Sequence, residues 1–135
     1  MESITLEEAR RVIAAAESKA EEIGQPMDIA VVDAGGNLKM HVRMDGALIG
    51  SIDISINKAF TAIALQTQTK DLAPQTQPGQ PLFGLNTTNN GRIVIFAGGI
   101  PLVRNGEILG AIGVSSGTVE QDQEVAEAGA AAFQG

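Results

Sequence analysis

Two glycine turns, each set between apolar runs, constrain this chain more than any other feature. Asn105-Gly106 supplies two neighbouring residues that tolerate positive φ, as a type I′ turn requires, so Ile100-Pro101-Leu102-Val103 and Glu107–Ser116 are predicted to pair as an antiparallel hairpin. Ala34-Gly35-Gly36-Asn37 plays the same part between a buried strand, Met27–Asp33, and the segment Leu38–Asp45. That segment alternates without a fault, with Leu38, Met40, Val42 and Met44 on one face and Lys39, His41, Arg43 and Asp45 on the other. Half of it is therefore wet or lines a polar site. The unbroken run Ile93–Ala97 reads as a further buried strand. Gly98-Gly99 interrupts it, where a bulge or a close approach of backbone or ligand is expected.

Helices fill the remainder. Thr5-Leu6-Glu7-Glu8 is a capping box, followed by Leu6, Ala9, Ile13, Ala16, Ala20 and Ile23 on one stripe, with Gly24 and Pro26 as the stop. Leu48–Gln66 is predicted to be a second amphipathic helix, with Ile49, Ile52, Ile56, Ala59, Phe60 and Ile63 as its apolar face and Asp53, Asn57, Lys58 and Thr61 turned elsewhere. Thr118 and Gln121 open a third, acidic helix whose apolar side is Val125, Ala128, Ala132 and Phe133. Thr67–Gly84 is polar and broken by prolines, too long for a tight connection, and is expected to be a functional or interface loop. Together these elements predict one α+β domain over residues 1–135, a layered fold with a central antiparallel sheet and flanking helices.

Composition removes whole classes of function. The net charge of −7 disfavours partners recognised through phosphate neutralisation, so neither nucleic acid nor an anionic membrane is an expected partner. With no Cys and a single His, thiolate chemistry, disulfides, Cys-held clusters and a His-held zinc within one subunit are excluded, and no metal site is expected. A Ser-His-Asp triad would have to use His41, and no Gly-x-Ser-x-Gly elbow is present. No secretory leader and no apolar run of membrane-spanning length is evident, so a cytoplasmic location is expected.

Several residues remain that could carry chemistry. His41 and Arg43 lie about 7 Å apart on one strand face, within reach of a shared anion. Arg43 could fork onto a carboxylate, His41 could carry a proton or ligate a metal, and Asp45 could orient either; a solvated face with Arg43 paired to Asp45 accounts for the same residues. Lys58 and Thr61 sit about one helical turn apart and could face a cleft that lowers the lysine pKa, or Lys58 could snorkel from the helix edge. Gly98-Gly99 offers backbone N–H groups to an anion, though without the strand-to-helix setting of a phosphate loop. Ser115-Ser116-Gly117 places hydroxyls at a helix N-terminus, where an anion could bind and where capping alone also explains them.

The segments Val32-Asp33-Ala34-Gly35-Gly36, Arg43-Met44-Asp45-Gly46-Ala47, Lys58-Ala59-Phe60-Thr61-Ala62, Phe96-Ala97-Gly98-Gly99-Ile100-Pro101-Leu102 and Gly110-Ala111-Ile112-Gly113-Val114-Ser115 resemble, in series, the GlcG/HbpS family, also known as the haem-degrading domain family. The resemblance covers almost the whole chain and extends to the C-terminal domain of the PduO adenosyltransferase. It implies a profilin-like fold, homo-oligomers from dimer to octamer, and haem as a cofactor in some members. Its motif positions here are Asp33, Arg43, Asp45, Lys58, Thr61, Gly98, Gly99 and Ser115, with Asp122 beyond them. The family pattern Val-Ser-Gly-Gly is replaced by Val114-Ser115-Ser116-Gly117, which alters the approach to the third helix. His41, Thr61 and Thr69 are the axial candidates for haem, beside Met40 and Met44. Two functions are thereby expected as alternatives. One is a binding protein for haem or another small molecule, with its site at an intersubunit cleft near Arg43, Lys58 and Thr61. The other is a small catabolic or biosynthetic enzyme, a lyase, isomerase or hydrolase, with Arg43 clamping a small carboxylate and Asp45, Lys58 or His41 moving protons. A module whose polar strand face only builds an oligomer is the third reading.

Overall fold

The computed structural model describes residues 2–134. Helix α1 spans Leu6–Ile23 and starts at the expected capping box, with Glu8 N–H donating to Thr5 Oγ1 at 3.1 Å and Thr5 N–H donating to Glu8 Oε1 at 3.0 Å. Strands β1 (Asp28–Asp33) and β2 (Leu38–Arg43) form the first hairpin, whose turn is tied by Asp33 Oδ1 accepting from the N–H groups of Gly35 and Asn37, each at 3.0 Å. Asp45 lies beyond the end of β2, so the strand is two residues shorter than its alternation predicts. Helix α2 (Gly50–Leu65) follows, then strands β3 (Gly99–Arg104) and β4 (Glu107–Ser115), joined through Asn105 at φ 53 and Gly106 at φ 76 as the turn requires. Helix α3 (Val119–Gln134) closes the chain, its own capping box formed by Thr118 and Gln121. Short 3₁₀ turns at Thr69–Leu72, Leu85–Thr87 and Asn89–Gly91 punctuate the long connection.

The four strands form one antiparallel sheet in the order β2-β1-β4-β3. Period two sends Ile29, Val31, Ile112 and Val114 to the face covered by α1 and α3, where they meet Val12, Ile13, Ala16, Val125 and Phe133 in the main core. The opposite face carries Val32 and Ala111 against Ala59 and Ala62 of α2.

Two expectations are corrected. Ile93–Ala97 is not a strand: its amide at Val94 donates to Thr61 Oγ1 at 2.9 Å instead of to a ladder, and pairing begins only at Gly99. The apolar run reflects Ile93 being plugged inward, 3% exposed, while Phe96 is 41% exposed. Of the predicted apolar face of α2, Ala59 and Ile63 do pack towards the sheet, but the residues the helix buries are Ser51, Ser55, Lys58, Ala59, Thr61 and Ala62, and Ile49 is 74% exposed. The reason is proximity: a Cβ on Gly113 would stand 2.0 Å from Ser55 O and 2.6 Å from Ala59 N, so the helix backbone rests directly on β4 and only narrow side chains fit beneath it.

Candidate functional site

The residues singled out in the sequence separate into three places. Lys58 is completely buried, its Nζ donating to Val114 O at 2.7 Å and to Asp122 Oδ2 at 2.9 Å, 5.1 Å from the centre of the Phe96 ring. It reaches this position because Gly98 leaves room, a Cβ there standing 2.7 Å from Nζ. Burial pushes the Lys58 pKa down and the neighbouring carboxylate opposes that; burial likewise raises Asp122, which Lys58 opposes. Asp122 Oδ1 also accepts from Gly117 N–H at 3.0 Å. Lys58 therefore neither snorkels nor faces an open cleft; it ties α2 to the end of β4 and the start of α3.

Around it the expected anion receptors are already engaged. Gly99 N–H donates to Thr69 Oγ1 at 2.9 Å and Gly98 N–H to Gln123 Oε1 at 3.2 Å. Thr61 donates to Asn57 O at 2.7 Å while accepting from Val94 N–H. Both threonines are buried, their hydroxyls holding the long connection against α2 and β3. Ser115 and Ser51 share a hydrogen bond of 3.0 Å, and Ser116 Oγ accepts from Leu48 N–H at 3.0 Å.

The second place lies beneath the first turns of α2. His41 Nε2 stands 3.2 Å from Ser55 Oγ and 3.7 Å from Asp28 Oδ1. The Ser55 hydroxyl also lies 2.9 Å from Ile52 O, which can accept its proton, and the direction of the bond between Ser55 Oγ and Nε2 follows the tautomer of the ring. Both neighbours address the same ring nitrogen, so the trio is not a catalytic triad, in which the serine and the carboxylate engage opposite nitrogens. Asp28 has no exposed surface and neither carboxylate oxygen has a hydrogen-bond partner.

The third place is open. Arg43 and Asp45 line a shallow hollow with Glu17, Glu21 and Met44. No ion pair joins Arg43 to Asp45 among the described residues. Arg43 is the cross-strand partner of Asp28, while Leu48 and Ile49, 61% and 74% exposed, lead into α2 at the same end of the sheet, beside Ser116.

A profile of the family described as "Haem degrading protein HbpS-like" matches residues 4–131. The chain belongs to this HbpS-like family. It is 50% identical over 125 residues, 93% of this chain and 88% of the relative, to a 15.0 kDa protein of the dhaT-dhaS intergenic region of Citrobacter freundii. The crystal structure of Klebsiella pneumoniae protein ORFY superposes with a TM-score of 0.96 at 47% identity, over 98% of this chain and 92% of that one. A crystal structure of a PduOC:haem complex superposes with a TM-score of 0.92 at 35% identity, covering 96% and 94%. The α+β fold and the family expected from the sequence are thus shown. No described helix is long and apolar enough to cross a membrane, and no cluster of three or more His, Asp or Glu residues among those described could hold a metal ion.

Against the demands of haem, this HbpS-like chain offers a half-buried imidazole, an exposed guanidinium for a propionate, and uncovered apolar side chains at one sheet end. Of the axial candidates, Thr61 and Thr69 are enclosed and hydrogen-bonded, and His41 has Nε2 turned inward, so its ring must rotate to present that nitrogen. Sequence reasoning missed Asp28, Ser51, Ser55 and Gln123. Their surroundings come from elements distant in sequence, and the shared sheet face of Asp28 and His41 follows only once the β1–β2 register is known.

Proposed function

We propose that this protein binds haem at the sheet end where β1 begins and β2 finishes. The observation that carries the reading is the likeness, over nearly the whole chain, to a domain crystallised with haem. The local residues support it: Arg43 would pair with a propionate, Leu48 and Ile49 would cover the ring, and His41 would supply the iron ligand once released from Ser55. Bound haem would bring a redox-active iron. Lys58 and Thr61 stand behind this site as positioning residues, fixing α2 and the connection after it. A second copy of the chain, docking on Leu48 and Ile49, would complete the cleft and make the protein a homo-oligomer.

The test is a haem titration of the purified protein followed in the Soret region. A saturable, stoichiometric band is expected, lost or shifted in His41→Ala and weakened in Arg43→Ala. A titration that rises without saturating would overturn the reading.

A further inference from the structure

Among the described residues, Arg92 alone of the cations is held by its side-chain contacts and yet has no carboxylate partner. Its guanidinium carbon lies 3.6 Å from the centre of the Phe60 ring, and its Nε donates to Asn57 Oδ1 at 3.1 Å. Asn57 is oriented in turn, its Nδ2 donating to Asp53 Oδ2 at 3.0 Å one turn earlier in α2. Phe60 is backed by the β1–β2 turn, where a Cβ on Gly36 would stand 3.2 Å from the ring. One face and one N–H of the guanidinium are therefore committed, and its plane cannot turn without giving up both contacts.

The backbone is bent to deliver this side chain. Asn89, Asn90 and Gly91 hold φ 52, 58 and 75, three successive residues in the left-handed region, two of which are not glycine. Arg92 follows with its N–H donating to Asn89 O at 3.1 Å and its carbonyl accepting from Thr61 Oγ1 at 3.3 Å, and Ile93 plugs inward next to it. The residue is half-buried, and what it leaves free is the far edge of the guanidinium, where neither Nη1 nor Nη2 has an acceptor among the described residues. Arg43, which the sequence offered as a carboxylate clamp, is exposed and has no such fixing.

Two parallel N–H donors on a fixed plane match the two oxygens of a carboxylate, and fixing them beforehand removes the cost of ordering a long side chain on binding. We propose that Arg92 is the clamp of a binding site for a small organic carboxylate, held end-on by Nη1 and Nη2 on the flank of α2. The single positive charge, with Asp53 one turn from Asn57 and a net charge of −7 on the chain, suits a monoanion rather than a phosphate or a polyanion. Ile56 and Phe60, four residues apart and both half-buried, put apolar surface on the same side of the helix, so the carboxylate is one with a short hydrocarbon tail. The site stands by the β1–β2 turn, at the opposite end of that hairpin from Arg43, and is separate from the haem site proposed above.

Arginine side-chain NMR on the whole protein reads the site directly, with the Arg92 Nε–H signal assigned by its absence from Arg92→Lys. Titration with sodium propionate is expected to move that signal saturably, while propionamide, the neutral analogue, and sodium chloride at equal ionic strength leave it in place. A shift that never saturates, or that chloride reproduces, overturns the proposal. Asn57→Asp keeps the side-chain volume and sets a competing carboxylate on Nε, so it should weaken propionate binding by about tenfold, the worth of one charge-assisted hydrogen bond. Phe60→Leu frees the guanidinium plane and should weaken binding several-fold with Arg92 still present. Propionate bound at wild-type strength in both variants overturns the clamp. Arg92→Ala should still give a stoichiometric Soret band with haem; loss of that band would make Arg92 the partner of a haem propionate and overturn a separate site.

Discussion

Lys58 shows how much one residue decides here. Its ammonium sits where water cannot reach, and its attraction to Asp122 offsets the desolvation of both groups only while both are present. Lys58→Met should therefore cost about 3–5 kcal/mol in urea unfolding, because Asp122 is left as a buried charge, and pairing it with Asp122→Leu should recover much of the loss. A single-variant cost below about 1 kcal/mol would contradict this account. Ser116 makes a subtler case. It holds φ 115, a region glycine adopts freely, yet its hydroxyl accepts from Leu48 N–H. Ser116→Ala loses the hydrogen bond and keeps the strain, whereas Ser116→Gly loses the bond and relieves the strain. The glycine variant should be the more stable of the two by about 1–2 kcal/mol, read from their unfolding midpoints. The departure from Val-Ser-Gly-Gly noticed in the sequence thus has a physical content: a bond to the segment ahead of α2 exchanged for backbone ease.

At the scale of elements, local chemistry was legible and long-range packing was not. Both hairpins, both capping boxes and the Gly24 stop follow from residues a few positions apart, and the structure reproduces them. Ile93–Ala97 and the inner face of α2 were misread because hydrophobicity was taken to indicate burial. The helix rests on β4 through Gly113, and what fits between is Ser, Ala and a lysine threaded past Gly98. The same logic hid Asp28 and Ser55, whose meeting with His41 depends on sheet register and helix placement together. Gly113→Ala tests this packing directly. Its Cβ would meet helix backbone rather than a flexible side chain, so α2 must shift off the sheet. The expected cost is at the upper end of overpacking, about 3 kcal/mol or more, together with faster hydrogen exchange along α2. A tolerated alanine, with stability unchanged, would show that the helix rests elsewhere.

For the whole molecule, surface area and surface chemistry give different answers about partners. A monomeric protein of 14.0 kDa is expected to expose about 6,700 Å², and this chain exposes 6603 Å², so total area alone calls for no covering subunit. The placement of apolar groups does. Leu48 and Ile49 are consecutive and more than half exposed, and Ile52 and Ile56 of the helix they precede are only partly buried by their own chain. A second copy covering Leu48 and Ile49 would explain why two large apolar side chains stand uncovered ahead of α2. Wild-type protein is accordingly expected to elute, with light-scattering detection, at a multiple of 14.0 kDa, and Ile49→Asp to shift towards a single chain while keeping its far-ultraviolet circular dichroism. If wild type is a clean monomer at micromolar concentration, self-association through α2 is refuted. An Ile49→Asp monomer that still binds one haem places the whole site on one chain, around His41 and Arg43.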